Sequence, residues 1–329
     1  MQPAPLDGAV LEKLISAAVA APALHNTQPW RYRLDPDTLT LEVRASPERG
    51  PRWADPMGRA LCVSAGAAVF NLRVAVAHFG WDPVVRLLPY RAQPDLLATV
   101  RLCPAPRDGA GHHEDLYDMI WRRHSNRSPF PQHRLPTAVL AELADAARAD
   151  GATLYAADPE ETARLLRLTA EAEERNARDP RRAAETRGWI REAGPYGIPG
   201  AALGPRDADG RLPPRDFHGP DWHRGGPPSA AVFEGEPTLA VLATSQDRRA
   251  DWLRAGQALE HVLLLATSRT VRASLLHQAL EWSDLRWSLG DGRRAPSHVQ
   301  MLIRLGHGPI GPATPRNGAH EVLEDGLAT

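Results

Sequence analysis

The chain has 329 residues, 43% hydrophobic and 24% charged. It can hold two average domains or one large one around a sizeable core, and its ordinary composition excludes wholesale disorder or a fibrous repeat. Lys+Arg 39 against Asp+Glu 40 leave a formal charge of -1, which offers no electrostatic footprint for nucleic acid or an anionic membrane.

The N-terminus, Met1 to Asp7, has no basic segment ahead of an apolar one, and no run approaches the roughly 18 apolar residues of a bilayer span. The reading is a soluble, cytoplasmic protein with no nucleic-acid or membrane partner. Residues 7–21 have apolar positions at helical spacing, with Asp7 as N-cap and Pro22 past the end. Next comes Ala21-Pro-Ala-Leu-His-Asn-Thr-Gln-Pro-Trp30, a polar loop between two prolines. Pro29 holds Gln28 extended, so the amides of Asn26 and Gln28 are placed either to meet a planar heterocycle or simply to make a helix-to-strand turn. Strands are expected at residues 30–34 and 39–43. Residues 64–77 read as a buried central helix in which Gly66 allows close packing. Strands follow at 84–88 and 97–102. Cys62 and Cys103 sit in apolar stretches and read as reduced core residues, too few for a disulfide framework or a four-ligand zinc site.

A helical stretch at residues 114–121 runs into Arg122-Arg-His-Ser-Asn-Arg-Ser-Pro-Phe130. Three arginines, a hydroxyl and an amide in six residues suit either a phosphate with a polyol or a solvated charged face. A helix at 138–149 and a strand at 153–156 come next. Residues 194–237 are dense in Gly and Pro, which forbids long regular elements. Trp189, Tyr196, Phe217, Trp222 and Phe233 lie in or beside this stretch, so it reads as a flap packed over something rather than a tether. A strand at 239–243, a helix at 254–267 and a strand at 299–305 complete the expected elements. Without regular βαβ alternation the fold class is α+β.

Two pairs of segments repeat. Ala9, Val10, Leu11, Leu14, Ala17, Ala18 and Ala20 recur as Ala138, Val139, Leu140, Leu143, Ala146, Ala147 and Ala149. Ser64-Ala-Gly-Ala-Ala and Arg254-Ala-Gly-Gln-Ala share a start and an apolar continuation, at a wider spacing. The chain therefore reads as two homologous halves, residues 1–110 and 111–329, with a flap inserted in the second at about 175–237.

Pro22-Ala-Leu-His-Asn-Thr-Gln-Pro-Trp30 resembles the Pro-Ser-x-x-Asn-x-Gln-Pro-Trp loop of FMN-dependent nitroreductases. Arg123-His-Ser-Asn-Arg127 is similar to their Arg-x-Ser-x-Arg/Lys motif, and Leu305-Gly-His-Gly308 with Arg316 to their C-terminal Leu-Gly and phosphate arginine. The permuted order, with Asp55-Pro-Met-Gly-Arg-Ala-Leu61 and Asp251-Trp-Leu-Arg-Ala-Gly-Gln-Ala-Leu259, resembles the Acg-like branch, in which two nitroreductase-type halves are fused and a flap covers the flavin. Ala23 stands where the family usually has Ser, and Ala65 where Cys is expected.

The resemblance implies a nitroreductase-like fold closed into an intramolecular pseudo-dimer, a monomer or homodimer, with one composite FMN site. Arg123, Arg127 and Arg316, with Arg122 beside them, would hold the phosphate; His124 and Ser125 would face the phosphate and ribityl chain; Pro22, Leu24, His25, Asn26 and Gln28 would line the ring. It implies hydride transfer from NAD(P)H through FMN to a small-molecule acceptor such as a nitroaromatic or quinone, with no catalytic side chain, or else a protein that stores FMN with little turnover. Three rival signals are weaker. Gly306-His-Gly-Pro-Ile-Gly311 matches a dinucleotide fingerprint, but Pro309 and Pro312 prevent the helix that would carry a pyrophosphate. His112, His113, Glu114, Asp118 and His124 lack a metal-ligand spacing. No nucleophile elbow is present, and neither cysteine has a neighbouring histidine in sequence.

Overall fold

The computed structural model describes residues 5–104, 116–131, 134–213, 215, 229–290 and 297–324. The metal-like cluster His112, His113 and Glu114 and the flap aromatics Phe217 and Trp222 lie outside them. In chain order the helices and strands are α1 Gly8–Val19, β1 Trp30–Asp35, β2 Thr40–Ala45, α2 Arg59–His78, β3 Trp81–Leu87, β4 Leu96–Pro104, α3 Tyr117–Arg122, α4 Thr137–Ala149, β5 Thr153–Ala156, α5 Pro159–Arg178, α6 Pro180–Gly188, β6 Arg206–Asp207, β7 Ala230–Ala231, β8 Thr238–Thr244, α7 Arg249–Ser268, β9 Arg272–Leu276, α8 Ser283–Ser288, β10 His298–Gly306, α9 Ala319–Val322 and β11 Leu323–Glu324. The class is α+β.

The N-cap of α1 is Asp7, whose carboxylate accepts from the Val10 N–H. Pro at the start of α5 and of α6 meets Asp158 and Asp179 as caps. One sheet has the order β11-β1-β2-β4-β3 and the other β5-β8-β10-β9. Apart from the parallel β1–β11 pair, every pairing in these two sheets is antiparallel. The series α1-β1-β2-α2-β3-β4 and α4-β5-β8-α7-β9-β10 thus arrange their four strands in one common order, first, second, fourth, third. β6 and β7 form a separate two-residue ribbon in the Gly/Pro-rich stretch.

Two apolar cores result. α1 and α2 pack Leu14, Ile15 and Phe70 against Trp30, Tyr32 and Leu41 of the first sheet. α4 and α7 pack Leu143, Leu253 and Leu259 against Val241 and Leu302 of the second. The cores meet where α2 crosses α7. A Cβ on Gly66 would collide with the Leu253 carbonyl, and one on Gly256 with the Val63 carbonyl, so the backbones touch and only hydrogen fits at either position. Each long helix also enters the opposite core, Cys62 and Val63 in one direction and Leu264 in the other. α2 is long and apolar enough to cross a bilayer by length and composition, which the sequence reading denied, but its residues are mostly buried in this fold.

The chain end crosses back. After β10, residues 307–318 run without helix, and β11 joins β1 of the first sheet. A division near residue 110 therefore leaves the last strand of the second segment in the first sheet.

Candidate functional site

An open cavity lies between the two lobes, lined from eight separate stretches of chain. The loop after α1 gives Pro22 to Asn26, the start of α2 gives Arg59, Val63 and Ser64, and the segment after α3 gives Arg123, His124, Ser125 and Arg127. Ile198 comes from the Gly/Pro-rich stretch, and Pro312, Thr314 and Arg316 from the returning chain end. Leu259, Leu275 and Met301 supply apolar wall.

The loop is held in an uncommon backbone form. His25, Asn26 and Gln28 have φ of 52°, 56° and 48°, a cluster of left-handed non-glycine residues of the kind found at ligand clamps. The clasp comes from the amides. Asn26 Nδ2 donates to the carbonyls of Gly197 and Pro315 at 2.9 Å each, and its Oδ1 accepts from Arg316 at 2.8 Å. Gln28 Nε2 donates to Pro195 O at 2.6 Å, and Gln28 Oε1 accepts from the Asn317 N–H at 3.0 Å.

The arginine segment is fixed by backbone pairing. Ser125 bridges Ala273 beside β9, and Asn126 N donates to Ala273 O at 2.9 Å. Pro312 lies one residue past Gly311, where any Cβ would strike the Ser125 carbonyl, so the returning chain seats directly on the motif. Arg123, past the end of α3, is 5% exposed, and its Nε lies 3.3 Å from Glu260 of α7, which is fully buried. Arg123 and Arg316 both donate to the Ala20 carbonyl, at 3.1 and 3.3 Å, the C-cap of α1 where the helix dipole favours cations.

Burial sets the charge states. It pushes the Glu260 carboxyl up to about 7, against the pull of Arg123 and Arg316. Burial, and then the neighbouring Arg123, bring Arg316 down to about 9, and burial with Arg215 brings Arg127 to about 10. His25 and His277 stand edge to face with ring centroids 5.7 Å apart. Burial first and Arg215 second hold both well below the ordinary histidine range, so both rings are neutral near pH 7.

Of the residues singled out from sequence, Pro22, Leu24, His25, Asn26, Arg123, His124, Ser125, Arg127 and Arg316 line this one cavity. Two do not. Arg122 is exposed on the last turn of α3, with the chain turning inward only at Arg123. Gln28 is fully buried behind the loop with its amide committed to Pro195 and Asn317, so it shapes the loop instead of facing a ligand. The Asn26 amide, although at the cavity, is likewise engaged by backbone and by Arg316. Sequence reasoning missed Arg59, which was within reach inside Asp55–Leu61, and His277, which follows β9 with no local signal.

No family model matches the chain. A protein named "Putative NAD(P)H nitroreductase Rv3131" from Mycobacterium tuberculosis is 31% identical over 324 residues, covering 97% of this chain and 92% of the relative. The chain belongs to the nitroreductase family. A second relative from the same organism, "Putative NAD(P)H nitroreductase acg", is 28% identical over 330 residues, covering 95% of both chains. Among solved structures, an FMN-bound nitroreductase from Bacteroides fragilis is similar over 66% of this chain and 98% of its own, at 15% identity and a TM-score of 0.36.

Proposed function

We propose that this nitroreductase-family member is an FMN-binding, NAD(P)H-dependent oxidoreductase that reduces small electron-poor molecules such as nitroaromatics or quinones. The observation that carries it is the composition of this cavity: the buried Arg123 and half-buried Arg316 guanidiniums, an apolar wall, and the strained Pro22–Asn26 loop, brought together from distant parts of the chain. The donor set fits a flavin mononucleotide. Arg316 Nε is buried with no hydrogen-bond partner, which a phosphate oxygen would supply, and the Arg123 guanidinium, its Nε turned to Glu260, lines the same cavity. Leu259 and Met301 offer apolar area for a planar ring.

FMN, when bound, would supply the redox chemistry that links a nicotinamide donor to the acceptor. Arg123 and Arg316 would hold its phosphate, Ser125 and His124 would flank it, and the Pro22–Asn26 loop would support the ring. Glu260 orients Arg123 from behind. The neutral rings of His25 and His277 add no charge beside the flavin. No side chain is required as acid or base. The common strand order of the two sheets supports two homologous halves fused into an internal pseudo-dimer, with one flavin site between them.

One observation favours the second reading, an FMN store with little turnover. The 195–202 segment is tied to the cavity by Gln28 and Asn26, and Arg127 Nη1 donates to Ala202 O at 2.8 Å. Steady-state oxidation of NADH or NADPH by flavin-loaded protein, with menadione or a nitrofuran as acceptor, separates the two. Sustained acceptor-dependent oxidation is expected; bound flavin without turnover assigns storage.

A further inference from the structure

Beside the first cavity lies a second, smaller pocket that also opens to solvent, and the two share Arg127, Leu275 and His277. Its walls are mixed, with Leu212, Pro213 and Phe233 from the Gly/Pro-rich stretch and Leu276 of β9 giving the apolar part. Three guanidiniums, Arg127, Arg215 and Arg304, and one carboxylate, Asp207, also line it. Asp207 is occupied by the backbone N–H groups of Asp209, Arg211 and Leu212. Arg304 is paired with Glu234, and Arg215 with Glu281.

Among the residues that line this chamber, three carry a buried polar atom without any hydrogen-bond partner: Arg215 Nε, Gln278 Oε1 and His277 Nδ1. Arg215 and Gln278 are themselves almost wholly buried, with side-chain exposure of 5% for Arg215 and residue exposure of 2% for Gln278. A buried cation with an unused donor, and an unused amide oxygen on a residue of the same pocket, are each costly unless something binds there.

We propose that this second chamber is a binding site for a planar aromatic carboxylate bearing a hydroxyl or amino group. The carboxylate accepts from Arg215 Nε, the substituent donates to Gln278 Oε1, and the ring lies against Leu212, Leu276 and Phe233. Binding does not depend on a flavin next door. A role for the bound molecule as electron acceptor does rest on the flavin reading, because the chamber meets the first cavity at Arg127 and His277.

The test is calorimetric titration of the full-length protein with 4-hydroxybenzoate, 4-hydroxybenzamide and benzoate, with flavin content read by absorbance on each sample. Wild type should bind 4-hydroxybenzoate at least about tenfold more tightly than the amide, since a hydrogen bond to a charged group contributes about 1.5–3 kcal/mol. It should also bind 4-hydroxybenzoate more tightly than benzoate. Arg215→Gln should abolish the preference over the amide, and Gln278→Leu the preference over benzoate, with flavin content unchanged. Arg215→Gln/Glu281→Gln neutralises both partners and replaces the single variant if that one fails to fold. Equal affinities for the three probes in wild type, or a charge preference that persists in both Arg215 variants, overturns the proposal. Loss of flavin with probe binding intact would count against the flavin reading alone.

Discussion

Arg123 and Glu260 form a buried pair whose value depends on both partners. Removing Arg123 alone strands a carboxylate in the interior, a loss of several kcal/mol that would blur any binding result. The informative variant is Arg123→Ala/Glu260→Gln. It should bind FMN about ten- to a hundredfold more weakly, the loss of one charge-assisted contact, as measured by fluorescence titration of stripped protein. Arg122→Ala, on the exposed side of the same motif, should leave affinity unchanged. Glu260 also sets a pH dependence. Its carboxyl sits at about 7 in the fold against 4.5 for an ordinary glutamate. Between those values the native protein holds a proton that the unfolded chain has released, so this group's contribution to stability falls as pH rises from about 4.5 to 7 and then levels. Urea unfolding at a series of pH values should show that slope in wild type and a flatter one in Glu260→Gln. At this scale sequence marked the segment that lines the cavity because arginine, serine and histidine cluster in one short motif. It did not reveal that the Gln28 and Asn26 amides clasp the 195–197 backbone and the returning chain end, because an amide reads the same whether it faces a ligand or a carbonyl. Nor does any local pattern mark His25, Asn26 and Gln28 for left-handed backbone, which non-glycine residues seldom adopt.

At the scale of elements, periodicity located α1, α4 and the two long helices, and alternation or apolar runs located β1 to β5, β8 and β10. The shared Ala-Gly-x-Ala start carried one further structural message, the Gly66–Gly256 crossing that joins the two cores. Gly256→Ala should destabilise the fold by at least the 1–3 kcal/mol typical of overpacking, because the added methyl meets backbone on both sides and no side chain can turn away. The urea midpoint measures it; an unchanged midpoint would mean the helices can separate at no cost. α5 and α6 escaped notice. Their Arg- and Glu-rich surface hides a narrow stripe, Leu165, Thr169, Ala172 and Asn176, that packs on the second lobe. β9 escaped as well, since its short Arg272–Leu276 run follows α7 after only a brief turn.

For the whole molecule, composition marked the Gly/Pro-rich stretch as something packed, and the described part of it is tied to the site. Its hydrogen bonds to Asn26, Gln28 and Arg127, and the Arg215–Glu281 pair, place it over both chambers. Deleting residues 194–228 and bridging the ends should leave a folded two-lobe core that still binds FMN, less stable because Glu281 loses its partner. Reduction by NAD(P)H and of bulky acceptors should accelerate. A soluble, flavin-bearing truncation no faster with any donor or acceptor would show that the stretch is no gate, and a truncation that cannot fold would make it part of the core. The return of the chain end to the first sheet was invisible in sequence, because a two-residue strand such as Leu323–Glu324 has no pattern of its own. That return brings Arg316 to the cavity, where the proposed reading needs it for a single flavin site. The most direct measurement is therefore the identity and stoichiometry of the flavin released from the purified, flavin-loaded protein, by mass spectrometry and absorbance. One FMN per chain is predicted; two per chain, FAD in place of FMN, or no flavin retained after loading would contradict a single composite site.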